Sequence, residues 1–469
     1  MTIFSPDLPV AIIGAGPVGL AAAAHLVARG IQPVILECGQ SVGASLLEWA
    51  HVRVFSPWRY NVDAAARTLL DQAGWQAPDP EALPNGGELV AQYLKPLASL
   101  PRIAANLKLG ATVTGITREG RDKVGSEGRE QSAFVVRYAD GDGAEHRVRA
   151  RAVIDASGTW TQPNPMGVDG LSVPGEAAVA GRIAYGIPDV VHAERERYAG
   201  KRVLVVGSGH SAINVALALM ELQQDDPRTE IFWALRRNSI ERLLGGGLND
   251  QLPERGALGL AAKAAMQDGR LRMLAPFAAQ HLSPTQDGVR VEATLGGEPF
   301  EIDVGRIVVT TGFRPDLSFL RELRVELDPT VEAPPKLAPL IDPNFHSCGT
   351  VPAHGIDELS HPEPGFAIVG SKSYGRAPTF LMATGYEQVR SVVAELAGDH
   401  LAARVVELAL PETGVCSAAP AVGEAASGCC GGPTLARTDA CCVADAKAKD
   451  AGKSGCGCGT KSRDMAAAE

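Results

Sequence analysis

Cysteine is nearly missing from most of this chain. The 469 residues carry nine cysteines, yet the first 410 hold only Cys38 and Cys348. Two thiols make no disulfide framework, which points to a reducing cytoplasm. No cysteine lies between Gly39 and Ser347, so that stretch has no internal dithiol. Basic charge is short as well. Lys and Arg number 44 against 54 Asp and Glu, a net charge of -10, which leaves no positive surplus for nucleic acid or an anionic membrane. Long hydrophobic runs are absent: none approaches the ~18 residues that span a bilayer. The opening "MTIFSPDLPVAIIG" lacks a basic leader region, and its apolar run reads as a first strand. The length suffices for a large core and two domains with appendages.

Glycine turns supply what is present. "VAIIGAGPVGLAAAAHLVARGIQPVILE" is a complete strand–helix–strand unit with G-x-G-x-x-G at Gly14, Gly16 and Gly19. The first glycine permits the tight turn, the second lets backbone approach a pyrophosphate, and the third lets helix pack on strand. Pro17 opens the helix, whose free N–H groups and positive dipole end suit phosphates. Glu37 ends the second strand, where an acid accepts hydrogen bonds from an adenosine ribose. A second unit, "KRVLVVGSGHSAINVALALMEL", carries Gly207, Gly209 and Ala212. Its next strand ends in Arg236 and Arg237, and guanidinium suits a 2′-phosphate. The first site therefore suits FAD and the second NADPH, with hydride transfer between them. The blander reading of the arginines is a solvated strand end, and of His210 a helix-start residue.

Two buried-strand segments, "AVIDASGTW" and "IVVTTGFRPD", bracket the second unit as chain crossings between two domains. Their turn glycines, Gly158 and Gly312, and Gly370 in "GFAIVGSKSYG", are further cofactor-binding candidates. The expected fold is α/β: an FAD Rossmann-like domain with an inserted NADPH Rossmann-like domain, followed by a disordered Cys-rich tail. The expected spans are 1–165 and 317–410 for the FAD domain, 166–316 for the NADPH domain and 411–469 for the tail.

These motifs resemble the flavin-containing monooxygenase and thioredoxin-reductase-like flavoprotein superfamily over roughly residues 8 to 408. "HVRVFSPWRYNVD" and the tail look more narrowly like the flavin-binding, monooxygenase-like proteins of arsenic-resistance operons. The resemblance implies FAD on the first fingerprint and NADPH on the second. The sequence departs from it twice. Val179-x-Gly181-x-x-x-Tyr185 stands where such monooxygenases carry Phe-x-Gly-x-x-x-His, and Ser371 follows Gly370 where reductases carry Asp. Reductases of this kind also carry a dithiol beside the flavin, which this body lacks, so reduced flavin is expected to meet O2. Trp58 and Asn61, as wall and amide donor, are the catalytic candidates, against the alternative of an ordinary packed loop. Cys38 reads as structural. Cys348 reads as silent or near the substrate.

The missing cysteines reappear at the end. Seven lie in the last 59 residues, a segment with neither aromatic nor His residues that is expected to stay disordered. Adjacent Cα atoms sit ~3.8 Å apart, short of the ~4.4 Å where ordinary disulfides begin. Cys429–Cys430, Cys441–Cys442, Cys456 and Cys458 therefore read as ligands for arsenite or another thiophilic ion. At about 25–40 Å of reach, such a tail extends to the flavin cleft. The other readings are a redox shuttle replacing the missing dithiol, a metal-binding protein without catalysis, and a tail without catalytic consequence. A small-molecule substrate is expected, and a homodimer is compatible with the sequence.

Overall fold

The computed structural model describes residues 7–237, 261, 264, 267–345, 351–378 and 380–408. Cys348, the segment after Arg237 and the whole tail from 411, with its six candidate metal ligands, lie outside them.

In chain order the strands are β1 (Val10–Ile13), β2 (Pro33–Leu36), β3 (Leu107–Lys108), β4 (Thr112–Arg118), β5 (Phe134–Ala139), β6 (Glu145–Ala150), β7 (Ala152–Asp155), β8 (Ile183–Tyr185), β9 (Arg202–Val206), β10 (Glu230–Ala234), β11 (Leu271–Leu274), β12 (Phe277–Pro284), β13 (Val289–Leu295), β14 (Glu298–Val304), β15 (Arg306–Val309) and β16 (Phe366–Ile368). The helices that matter here are α1 (Pro17–Ala28), α2 (Ala44–Leu47), α3 (Ala64–Gln72), α4 (His210–Asp225) and α5 (Met382–Leu396).

Two five-stranded sheets organise the chain. The first runs β16-β7-β1-β2-β3 and the second β11-β10-β9-β15-β8, and every pairing in both is parallel. Parallel strands need cover on both faces, and each sheet is covered in the same way. One face of the first sheet packs against α1 and α5, the other against the antiparallel meander β4-β5-β6. The second sheet has α4 on one face and the meander β12-β13-β14 on the other. This is why β1 and β9 are continuous apolar runs rather than alternating ones: VAII is buried at all four positions. Ala21 to Ala24 in α1 are fully buried, and their short side chains let the helix lie close to the sheet. Burial of Leu20 and Leu26 on the same helix adds roughly 1.5–3 kcal/mol each.

The two fingerprints thus occupy equivalent places, each at the carboxyl end of a central strand, where parallel α/β sheets open a crevice for ligands. Among the described residues no helix is long and apolar enough to cross a membrane.

Candidate functional site

Gly14 has φ +96, and its N–H donates to the Leu36 carbonyl at 2.7 Å, closing the turn between β1 and β2. A Cβ on Gly19 would lie 2.1 Å from the Gly14 carbonyl oxygen, so only glycine lets α1 approach the turn. A Cβ on Gly16 would meet nothing within 4 Å. Gly16 therefore faces a space that protein atoms leave open. Gly16 is also the N-cap of α1, without a side-chain cap, with Pro17 at the first position and no acid in the first turn. The orphan N–H groups and positive helix end are left for an anionic ligand. The chain fits the diphosphate of FAD here. Glu37 is buried, and its two oxygens accept the Ala15 N–H at 2.6 Å and the Gly39 N–H at 2.8 Å, which fixes the carboxylate beside the turn.

The second turn repeats the design. Gly207 has φ +138, and a Cβ there would lie 2.4 Å from Thr310 Oγ1. Gly209 faces open space and caps α4 without a side-chain bond or an acid in the first turn, and Ala212 is fully buried. Arg236 and Arg237 follow β10 and are exposed at the same edge. Arg236 leans on the Val168 carbonyl at 3.5 Å. The Arg236→Ala/Arg237→Ala double variant is expected to raise KM for NADPH about 10- to 100-fold, as lost charged hydrogen bonds imply, and to leave KM for NADH nearly unchanged. Steady-state kinetics with both nucleotides reads this directly.

Gly158, Gly312 and Gly370 all adopt positive φ, at +70, +88 and +72. The Gly370 turn is held by residues that sequence spacing does not reveal. Its N–H donates to Gln388 Oε1 at 2.7 Å, while Gln388 Nε2 donates to Ser373 Oγ and to His354 Nε2, both at 2.9 Å. His354 Nε2 is then an acceptor, so Nδ1 carries the proton and donates to the Pro352 carbonyl at 3.0 Å. Burial lowers the pKa of His354 and keeps it neutral. Beside this turn Lys372 is fully buried and donates to Asp155 Oδ2 at 2.7 Å and Ser157 Oγ at 3.0 Å, with its ammonium over the Phe319 ring. Where relatives were expected to carry an acid at 371, this chain has Ser371 and a neutralised Asp155–Lys372 pair one residue on.

The two catalytic candidates, Trp58 and Asn61, are both buried. Trp58 is 4% exposed and sits in the core packed around α1 and α3. Asn61 is 1% exposed, and its amide hydrogens are spent on the Ser56 and Pro57 carbonyls, at 2.6 and 3.1 Å. Its Oδ1 accepts the Ser56 hydroxyl at 2.9 Å, and its carbonyl accepts the Tyr386 hydroxyl at 2.8 Å. These bonds tie the 56–61 loop to itself and to Tyr386. Asp63 completes the anchor by capping α3 through the Ala66 N–H and pairing with His25 at 3.0 Å. Tyr185, in the place expected for His, donates its hydroxyl to the buried Glu176, which also accepts the Val173 N–H at 2.7 Å. Burial and that carboxylate push the phenol pKa up, so Tyr185 braces the 166–173 loop. Cys38 is exposed, and its pKa is raised by desolvation and by the Glu37 charge, which makes it a poor nucleophile. Among the described residues no group of three His, Cys, Asp or Glu side chains is set to hold a metal ion.

The profile of the pyridine nucleotide-disulphide oxidoreductases matches residues 11–340. The chain belongs to that family. This oxidoreductase depends on FAD and NADPH. It is 26% identical over 327 residues to a ferredoxin–NADP reductase of Granulibacter bethesdensis, covering 69% of this chain and 75% of the relative. It is 31% identical over 214 residues to the indole-3-pyruvate monooxygenase YUCCA1 of Oryza sativa subsp. japonica, 44% of each chain. The bacillithiol disulfide reductase of Bacillus cereus superposes with a TM-score of 0.61 at 20% identity, over 83% of this chain and 99% of that one; this shows the shared fold.

Proposed function

We propose that this oxidoreductase is a monooxygenase that uses NADPH and O2 to oxidise a small soft nucleophile, a trivalent arsenical or a thiol, in metalloid resistance. The observation that carries the proposal is the absence of a dithiol: no cysteine occurs from Gly39 to Ser347, and among the described residues the one thiol, Cys38, sits next to Glu37 at the ribose end. The partial identity to a plant monooxygenase supports it.

When bound, FAD supplies the electron chemistry, taking a hydride from NADPH and passing electrons to O2. The chain's own residues bind and orient. Gly14, Gly16, Gly19 and the α1 N-terminus hold the FAD diphosphate, and Glu37 takes the ribose hydroxyls. Gly207, Gly209, Ala212 and the α4 N-terminus hold the NADPH diphosphate, with Arg236 and Arg237 on its 2′-phosphate. Gly158, Gly312 and Gly370 give backbone close approach at the cofactor edges. In this reading residues 1–165 and 317–410 form the FAD unit, residues 166–316 the NADPH unit, and residues 411–469 a tail. Three thiolates drawn from Cys429, Cys430, Cys441, Cys442, Cys456 and Cys458 collect the soft ion and deliver it.

A second reading has the same tail cysteines act as the missing dithiol of a reductase. It is favoured by the family's disulphide chemistry and by the fold shared with a bacillithiol disulfide reductase. NADPH turnover under air, with arsenite, methylated trivalent arsenicals and small thiols, separates the two. The full chain is compared with one ending at Leu410. Substrate-stimulated O2 uptake supports the monooxygenase. Anaerobic turnover with a disulfide, lost when tail cysteines become serine, supports the reductase. A protein that binds arsenite but never FAD sinks both.

A further inference from the structure

We infer that Trp160 is the pin that sets the angle between the two parallel sheets, and is thereby the positioning residue for hydride transfer between their cofactors. Trp160 lies on the first chain crossing, just after β7. The second crossing follows β15. The two crossings pair as a narrow antiparallel ribbon, with a bridge between Pro163 and Phe313. The Asn164 N–H donates to the Gly312 carbonyl and the Arg314 N–H to the Gln162 carbonyl, each at 2.9 Å. Arg314 Nε adds a bond to Asn164 Oδ1 at 2.8 Å. A ribbon of two strands twists readily, so these bonds join the sheets without fixing their angle.

Trp160 fixes it by touching both sides. Its ring stacks on Phe313 with centroids 4.4 Å apart and an interplanar angle of 28°. Its far edge lies against Gly186, where a Cβ would come 2.9 Å from Cη2. The Gly186 N–H is bonded to the Val309 carbonyl of β15, so this contact belongs to the second sheet. Toward the first sheet, the indole N–H donates to Glu48 Oε2 at 2.7 Å, and Trp49 packs at 6.4 Å. Glu48 and Trp49 directly follow α2, and the Gly43 N–H that starts this helix donates to the Ala15 carbonyl inside the first fingerprint. Trp160 therefore ties one glycine turn to the sheet that bears the other. At this angle Phe55, from the first-sheet side, lies 5.2 Å from the ring of His210, the residue that opens α4 in the second fingerprint. Rotation of one sheet against the other must break the indole hydrogen bond and unstack Phe313.

The inference rests on hydride passing from NADPH to FAD, and its test has one readout that does not. Hydrogen exchange is followed at Asn164 and Arg314 in protein without NADPH, for wild type, Trp160→Ala, Trp160→Phe and Glu48→Gln. Trp160→Ala is expected to accelerate both amides about 10-fold or more, because the ribbon then opens locally. Trp160→Phe keeps the stack and falls between, and Glu48→Gln, whose amide oxygen still accepts the indole N–H, stays near wild type. In anaerobic single turnovers, Trp160→Ala is expected to slow flavin reduction about 100-fold while FAD content and NADPH affinity hold, the cost of reactants set apart by an ångström. If Trp160→Ala does not fold, Trp160→Phe and Glu48→Ala carry the same comparison with smaller shifts. Unchanged exchange and an unchanged reduction rate overturn the pin. Wild-type protein whose flavin NADPH never reduces overturns the underlying reading instead.

Discussion

Gly16→Ala is expected to leave the apoprotein as stable as wild type, or slightly more so, and to abolish retention of FAD. Gly16 has φ -77 and ψ -174, a conformation alanine adopts freely, and its Cβ would meet no protein atom within 4 Å. Such a change stabilises a fold by about 0.4–1 kcal/mol through the unfolded chain. The methyl group instead occupies the space in front of the α1 N–H groups. Losing two charged hydrogen bonds there costs on the order of 3 kcal/mol or more, roughly 100-fold or more in affinity. Gly19→Ala is the informative contrast. Its Cβ would stand 2.1 Å from the Gly14 carbonyl, so helix and strand must part, and both FAD binding and apoprotein stability fall. Denaturation of the apoproteins together with FAD titration checks both. A Gly16→Ala protein that keeps its flavin contradicts the assignment of this turn.

Glu363→Ala is expected to destabilise the fold by about 3–5 kcal/mol, the cost of leaving buried guanidinium groups without their counter-charge. Glu363 Oε1 accepts from Arg118 Nε at 2.7 Å, and Oε2 accepts from Arg129 Nη2 at 2.8 Å and the Arg324 N–H at 2.9 Å. All three charged side chains are 0–1% exposed, and Arg118 also lies 3.6 Å over the Phe134 ring. The cluster clamps the β4-β5-β6 meander to the loop before β16. Burial alone would raise the Glu363 carboxyl, but Arg129, the Arg324 N–H and Arg118 hold it below its ordinary value. A depressed folded pKa gives stability that is fully present above the unfolded carboxylate range and is lost as pH falls through the folded pKa. The gap between wild type and Glu363→Ala is therefore expected to be constant near neutrality and to narrow only in strongly acid solution. Urea midpoints across pH measure it, and a gap that widens on acidification contradicts the assignment.

What was legible in the sequence was local. Both fingerprints are fixed-spacing patterns in which glycines, apolar strand and helix start lie within about thirty residues, so the turns from Gly14 to Gly19 and Gly207 to Ala212 and the acid at Glu37 could be read directly. The crossings at Gly158 and Gly312 were readable for the same reason. What escaped were pairings between distant positions. Arg118 and Glu363 are 245 residues apart, Asp155 and Lys372 are 217 apart, and no spacing in a single chain announces either. Gln388 and His354, which hold the Gly370 turn, were hidden in an ordinary helix and an ordinary loop. The surroundings of Trp58 and Asn61 escaped the sequence because a loop rich in aromatic and amide groups looks alike whether it lines a pocket or plugs a core. Burial decides between the two, and burial depends on α3 and α5 packing from elsewhere in the chain. A clue was present: Asp63 with Ala66 is a helix cap, and a capped helix start one turn after Trp58–Tyr60 ties that loop down.

The most direct test of the account is an anaerobic titration of the purified, FAD-reconstituted protein with NADPH, followed by admission of air. The account predicts one FAD per chain, bleaching of its visible absorbance by NADPH far faster than by NADH, and return of the colour on contact with O2. Protein that stays colourless after reconstitution, or yellow protein whose flavin NADPH leaves oxidised, would contradict it.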